Sequence, residues 1–210
     1  MPSLGELVES LVKKKILRTP VIREAMLKID RANFVQEGFI SEAYLDEPLL
    51  AGEGQTISQP YTVAFMLELL LPKPGEKFLD VGYGSGWQSA ILAEIVGEKG
   101  KIYAFEILSA LCEFGKNNIA KYPHLAGRID FFCRSASHGL EKEAERIGGF
   151  DGIIAAAELK EVPGDWRKQI KKGGRLVYPQ KGGIVKEIKL ADNKFVTQRH
   201  EGFKFVPYIH

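Results

Sequence analysis

Cysteine is scarce in this chain: two in 210 residues, Cys112 and Cys133. They form no CxxC pair, and no histidine stands at ligand spacing beside either. That pattern argues against a disulfide scaffold or a zinc site, and both are expected as free, half-buried thiols of a reducing compartment. An excess of either charge is also missing. Lysine and arginine number 29 against 27 acids, a net charge of +2. Nothing electrostatic therefore calls for nucleic acid or an anionic membrane as partner. The lysine clusters at Lys13 to Lys15 and at Lys171 and Lys172 read as solvated helix ends. No apolar run approaches the roughly 18 residues that span a bilayer. Met1 to Glu6 lacks the basic start and apolar stretch of a secretory leader. The expectation is a soluble, cytoplasmic and preferably monomeric protein without a metal site.

What is present is ordinary for a globular chain, with 45% hydrophobic and 27% charged residues. The length fits one domain. Ser3-Leu4-Gly5-Glu6 has the form of a capping box, after which Leu4, Leu7, Val8, Leu11 and Val12 recur at helical spacing. Thr19-Pro20 reads as an N-cap with proline at the first helical position, and Val21, Ile22, Ala25, Met26 and Ile29 supply the apolar face. Residues 31–59 show little periodicity, yet Phe34, Phe39, Tyr44, Leu49 and Leu50 predict an ordered, packed loop rather than a linker. A helix is predicted from Pro60 to Leu71.

Beyond it the pattern alternates. Strands are predicted at 77–81, 101–105, 128–133, 151–156 and 175–178, with helices at 87–96, 109–122, 139–147 and 165–171. Gly173-Gly174 reads as a glycine stop for the last helix. Asp151 to Ala156 is a continuous apolar run, as in strands buried on both faces. Strands at 185–190 and 195–200 form a hairpin across Ala191-Asp192-Asn193. This βαβαβ succession implies an α/β fold with a mostly parallel sheet and helices on both faces.

The sharpest chemical signal is Asp80-Val81-Gly82-Tyr83-Gly84-Ser85-Gly86 between a strand and a helix. Glycines there let backbone approach a ligand, and the following helix offers free N–H groups. Glu106 ends the next strand about 20 residues on, where an acid accepts hydrogen bonds from a ribose diol. Trp87 stands where the pyrophosphate-binding G-x-G-x-x-G pattern needs its third glycine. A nucleoside without a pyrophosphate is the better fit. Of the four histidines, His138 lies near the ligand edge of the sheet, and His124, His200 and His210 are expected at the surface. Ser58, just before Gln59-Pro60, reads on its own as the cap of the helix that follows.

The glycine turn resembles motif I of class I S-adenosylmethionine methyltransferases. Ala43-Tyr44-Leu45-Asp46-Glu47-Pro48-Leu49-Leu50 with Gly52-Glu53-Gly54-Gln55-Thr56-Ile57-Ser58-Gln59-Pro60 is similar to the signature of the protein-L-isoaspartate O-methyltransferase family. Arg23-Glu24-Ala25-Met26, Asn33-Phe34-Val35, Phe150 to Ala157, Gly173 to Pro179 and Phe205-Val206-Pro207-Tyr208 fit the same family. The resemblance implies a Rossmann-like, doubly wound sheet with C-terminal antiparallel strands and a small N-terminal helical extension. It implies one methyltransferase domain, with helices and a substrate and cofactor loop at 1–59 and the core at 60–210.

The implied activity is S-adenosylmethionine-dependent methylation of the free carboxylate of L-isoaspartyl residues in damaged proteins. Ser58 would be the catalytic residue. The cofactor would be held by Gln55, Thr56, Ile57, Ser58, Asp80, Gly82, Gly84, Ser85, Gly86, Glu106 and Ser135. The chain departs from the family after the strand at 128–133, where Arg134-Ser135-Ala136 replaces an Asp-Gly pair that helps hold adenine. The segment Ala155 to Pro163 is about two residues longer than the family's, and Tyr83 is bulkier than its counterpart. Two other readings stay open at this point: methylation of a different carboxylate, and a non-catalytic protein with a degenerate cofactor site.

Overall fold

A computed structural model of the chain describes residues 2–191 and 194–209. Helix α1 (Leu4–Lys13) starts in the predicted capping box: Glu6 N–H donates to Ser3 Oγ at 3.2 Å and Ser3 N–H to Glu6 Oε2 at 2.7 Å. Helix α2 (Pro20–Lys28) follows Thr19, whose side chain does not cap it. Instead the Thr19 hydroxyl and N–H, with Arg18 N–H, donate to the buried Glu68 carboxylate at 2.9, 2.7 and 2.8 Å. These charge-assisted bonds satisfy Glu68 and fasten the start of α2 to helix α3 (Pro60–Leu70).

Residues 31–59 pack as expected but are not a plain loop. They form two 3-10 turns (Arg31–Phe34 and Glu37–Glu42) and a hairpin of β1 (Leu49–Gly52) and β2 (Gln55–Ile57). Such short elements cannot display a period in the sequence. The hairpin turns on Gly52, Glu53 and Gly54, all at positive φ.

The main sheet has seven strands: β3 (Lys77–Val81), β4 (Lys101–Glu106), β5 (Ile129–Cys133), β6 (Phe150–Ala155), β7 (Ile170–Gln180), β8 (Gly183–Ala191) and β9 (Lys194–Glu201). Their order is β5-β4-β3-β6-β7-β8-β9, parallel from β5 through β7 and antiparallel at β8 and β9. The winding reverses between β3 and β6, which opens a crevice at the carboxyl ends of these strands. Helices α4 (Trp87–Val96), α5 (Ser109–Ala120), α6 (Glu141–Ile147) and α7 (Gly164–Gln169) cover both faces. Alternate strand residues serve two cores. Phe78, Ile102, Ile154 and Val177 pack with α1 to α5. Leu79, Tyr103, Ile153 and Leu176 pack with Ala144 of α6 and Trp166 of α7.

Three expectations are corrected. Helix α7 stops at Gln169, and β7 already begins at Ile170. Gly173 has φ +79°, and a Cβ on Gly174 would lie 2.4 Å from Ile170 Cγ2. The glycine pair therefore forms an irregularity within a strand rather than a helix stop, two uses that look alike in sequence. His200, expected at the surface, is half-buried with its ring edge-on to Phe65. Finally, Cys112 and Cys133 are not free thiols but a disulfide. The α5 crossover brings positions 21 apart in sequence to a Cα–Cα distance of 5.8 Å. Ala191 pairs with Lys194 in the β8–β9 hairpin, while Asp192, Asn193, Met1 and His210 lie outside the described residues.

Candidate active site

The glycine turn leaves β3 at the crevice, and its glycines divide their work. Gly82, Gly84 and Gly86 have φ of 79°, 49° and 87°, conformations that a side chain rarely tolerates. Around Gly82 a Cβ would meet nothing within 4 Å, and at Gly84 only the Gly82 carbonyl at 4.0 Å. A ligand can therefore reach bare backbone there. Gly86 serves packing instead. A Cβ on it would lie 2.8 Å from Ile119 and 3.0 Å from the Gly115 carbonyl, so its absence lets α4 and α5 close on each other. Tyr83 is absorbed in the same contact. Its ring is buried edge-on to Phe131, and its hydroxyl donates to the Cys112 carbonyl at 3.0 Å.

Glu106 sits at the end of β4, buried and joined to both rims of the cleft. Its Oε2 accepts from Gly84 N–H at 3.0 Å, and Oε1 accepts from Ile107 and Leu108 N–H at 2.8 and 3.0 Å. Among the described residues it pairs with no cation. An ionised carboxylate has about four acceptor positions, so capacity remains toward the cleft.

Asp80 lies behind the turn and does not line the cleft. It is fully buried, accepting from Gln88 Nε2 at 2.8 Å and from the Ser89 hydroxyl, and so locks β3 to α4. Burial pushes its carboxyl up to about 6, against the pull of those two bonds and with the Glu106 charge adding to the rise. The folded form thus holds its proton above the unfolded pKa of about 3.9. Between roughly pH 4 and 6 the native state binds more protons than the unfolded chain, so this group makes stability fall as pH rises. Asp80→Asn removes that slope. Its stability relative to wild type should be higher at pH 6.5 than at pH 4.5 by on the order of 2 kcal/mol, from urea unfolding at the two pH values. An equal difference at both would mean that Asp80 titrates as an ordinary carboxyl.

The remaining walls come from four places. Gln55, Thr56, Ile57 and Ser58 form a strap along one side, and Leu108 and Leu111 an apolar wall beyond Glu106. Arg134, Ser135 and Ala136 close the far end, where Arg134 lies over Phe105 at 5.0 Å and Phe132 at 5.5 Å. The Ser135 hydroxyl is held 2.7 Å from Ser137 Oγ and accepts from Ser137 N–H at 3.2 Å. Val206 to Ile209 approach from the C-terminal tail, pinned to Glu158 by two backbone bonds: Glu158 N–H to the Val206 carbonyl at 2.8 Å and Tyr208 N–H to the Glu158 carbonyl at 2.9 Å.

One cleft therefore collects Gln55, Thr56, Ile57, Ser58, Gly82, Gly84, Ser85, Glu106 and Ser135, while Asp80 and Gly86 stand behind it. Ser58 is not a helix cap. Gln59 is the cap residue of α3 and makes no cap bond with its own side chain; the free Tyr61 N–H of the first turn donates instead to Asp46 Oδ1 at 2.8 Å. His138 is outside, with a side chain 89% exposed and paired to Asp165 at 3.0 Å. Sequence reasoning does not assign Trp87, Leu108, Leu111, Arg134 or the Val206 to Ile209 tail to the site. Trp87, Leu108 and Arg134 adjoin assigned residues and could be found by that adjacency, whereas Leu111 and the tail reach the cleft through tertiary packing.

Known structures share this fold. A Plasmodium falciparum chain crystallised with S-adenosyl-L-homocysteine superposes with a TM-score of 0.87 at 24% identity, covering 99% of this chain and 98% of its own. A protein-L-isoaspartate O-methyltransferase superposes with a TM-score of 0.88 at 25% identity, covering 99% of this chain and 66% of that one. The fold and the cleft at its switch point define a Rossmann-like methyltransferase. Residues 3–210 match the family model of protein-L-isoaspartate(D-aspartate) O-methyltransferase. Protein-L-isoaspartate O-methyltransferases of Methanopyrus kandleri and Pyrobaculum islandicum are 37% and 39% identical, covering 97% and 85% of this chain and 89% and 84% of their own. This chain belongs to the protein-L-isoaspartate O-methyltransferase family.

Proposed function

We propose that this chain transfers a methyl group from S-adenosylmethionine to the free α-carboxylate of an L-isoaspartyl residue in a damaged protein or peptide, as a step in protein repair. The observation that carries this reading is the single cleft in which the Gln55 to Ser58 strap faces Gly82, Gly84 and Glu106. The residues present fit the donor. Open backbone at Gly82 and Gly84 would admit its chain, Glu106 would accept from its ribose hydroxyls, and Leu108, Leu111 and the Arg134-Phe105 stack would flank its base. When bound, S-adenosylmethionine supplies an electrophilic methyl group on a sulfonium. Ser135 offers a hydroxyl, already fixed by Ser137, in place of the carboxylate common in the family.

A free α-carboxyl has a pKa of about 3.3 to 3.7 and is ionised near neutral pH. The protein therefore needs no strong general base, and its work is orientation and exclusion of water. The Ser58 hydroxyl would donate to one carboxylate oxygen and so orient the carboxylate toward the bound methyl donor. The strap and the Val206 to Ile209 tail, which line the cleft, would shield the reacting atoms from water. We read 1–59 as the part that delivers the strap and 60–210 as the part that holds the cofactor, within one domain. A cytoplasmic location is kept as part of this reading on the family alone, since the thiol argument for it is gone with the disulfide.

Radiolabelled S-adenosylmethionine and paired peptides of isoaspartyl or normal aspartyl linkage test the reading. Base-labile label is expected on the isoaspartyl peptide alone; label on both, or on neither, overturns it. Ser58→Ala should lower kcat by about 100-fold, the scale of one oriented donor at a reacting oxygen, with S-adenosylhomocysteine affinity unchanged. Turnover at the wild-type rate would remove Ser58 from the chemistry.

A further inference from the structure

Arg31 is a wholly buried arginine that faces no carboxylate at ion-pair distance among the described residues. Buried guanidinium groups are rare unless paired, and this one spends its donors on backbone. Nη1 donates to the carbonyls of Ala43 at 2.9 Å and Leu45 at 3.1 Å. Nη2 donates to those of Glu47 at 2.9 Å and Ser58 at 3.3 Å. Its Nε has no hydrogen-bond partner among the described residues. Burial lowers its hold on the proton to about 10, only partly offset by Asp46, so it stays charged at neutral pH.

The connections define a junction. Two stretches of the N-terminal segment, 43–47 and Ser58, converge on one planar group. The guanidinium also lies 5.5 Å over the Trp87 ring, whose Nε1 donates to the Ile29 carbonyl at 3.1 Å. Trp87 is the first residue of α4, directly after the glycine turn, and lines the same cleft as Ser58. Gln59 Nε2 donating to the Asp46 carbonyl, and Tyr61 N–H to Asp46 Oδ1, each at 2.8 Å, tie the strap from its other end. A buried charge is a poor device for stability alone, since a packed apolar side chain serves as well, but it specifies one arrangement of the groups around it.

We infer that Arg31 is a positioning residue that sets where Ser58 stands over the cleft by clamping the strap to the helix that follows the glycine turn. The inference rests on the role proposed above for Ser58. Lysine keeps the charge but offers three N–H groups from one point, too few and too short to span four carbonyls. Misplacement of a reacting group by about an ångström costs up to roughly 100-fold.

The test is a double-mutant cycle of Arg31→Lys and Ser58→Ala, read by methylation of the isoaspartyl peptide and by calorimetric titration with S-adenosylhomocysteine. Arg31→Lys should lower kcat roughly 10- to 100-fold, with affinity for S-adenosylhomocysteine within about threefold, which marks an intact fold. In the Ser58→Ala background the same change should cost less than about threefold, because the group that it positions is gone. A kcat loss that multiplies in full with that of Ser58→Ala overturns the inference alone. A silent Ser58→Ala overturns the reading of Ser58 and this inference with it. If the lysine variant does not fold, neutral Arg31→Gln is carried through the same cycle. Failure of both to fold would make Arg31 a folding residue and end the positioning role.

Discussion

Glu106→Gln should weaken the binding of S-adenosylhomocysteine by about 100-fold. The carboxylate accepts from Gly84 N–H at 3.0 Å and from Ile107 and Leu108 N–H at 2.8 and 3.0 Å. An amide offers one oxygen and turns an NH₂ group toward donors, so one side of the junction loses its acceptor. Hydrogen bonds to a charged group contribute about 1.5 to 3 kcal/mol each. Losing the ribose contact with partial collapse of the Gly84 contact gives about 3 kcal/mol, which is the 100-fold. Calorimetric titration reads it directly, and the 2′-deoxy analogue of the ligand supplies the control. That analogue should bind wild type less tightly and gain little further penalty in the variant. A dissociation constant within threefold of wild type would place the ribose elsewhere in the cleft.

The second large effect concerns the disulfide. Cys112 and Cys133 are separated by 21 residues, and a cross-link over such a loop withholds about 3 kcal/mol of entropy from the unfolded chain. Cys112→Ser with Cys133→Ser should accordingly lower the melting temperature by about 8 °C for a chain of this length. Wild type treated with a reductant should fall by a similar amount. Thiol titration in denaturant without reductant should find no free thiol in wild type. Two free thiols, or identical melting with and without reductant, would contradict the bond. Because Cys133 pairs in register with Glu106, and α5 carries both Cys112 and the wall residue Leu111, the same variant checks whether the bond stiffens the nucleoside end of the cleft.

The parts of the site readable from sequence are those that lie close together in it. Gly82 to Gly86 advertise a strand-to-helix turn because three glycines in five residues have little other use there, and Glu106 is found by counting to the end of the next strand. The Gln55 to Ser58 strap is legible only through family resemblance; by its own chemistry Ser58 looks like a cap, and the structure gives that place to Gln59. Asp80 reads as a cofactor residue because it adjoins the glycines, yet strand alternation turns it inward to Gln88 and Ser89. Contacts made by tertiary closure leave no local mark. The disulfide depends on how α5 crosses between two parallel strands. Arg31 is one arginine in a segment without period, and its four carbonyl partners are spread along the chain from Ala43 to Ser58. A backbone carbonyl carries no sequence identity, so this kind of junction is invisible before the fold is known.

The two cores that flank the sheet are unequal. On one side α1 to α5 build a deep layer; on the other, the short helices α6 and α7 share a thin one around Trp166. Local opening costs least where few apolar contacts must part. Amide hydrogens of α6 and α7 should accordingly exchange with solvent before those of α4 or β3, as hydrogen-exchange mass spectrometry would read. That face lies opposite the layer into which Ile57 of the serine strap packs, so opening there should leave the strap in place.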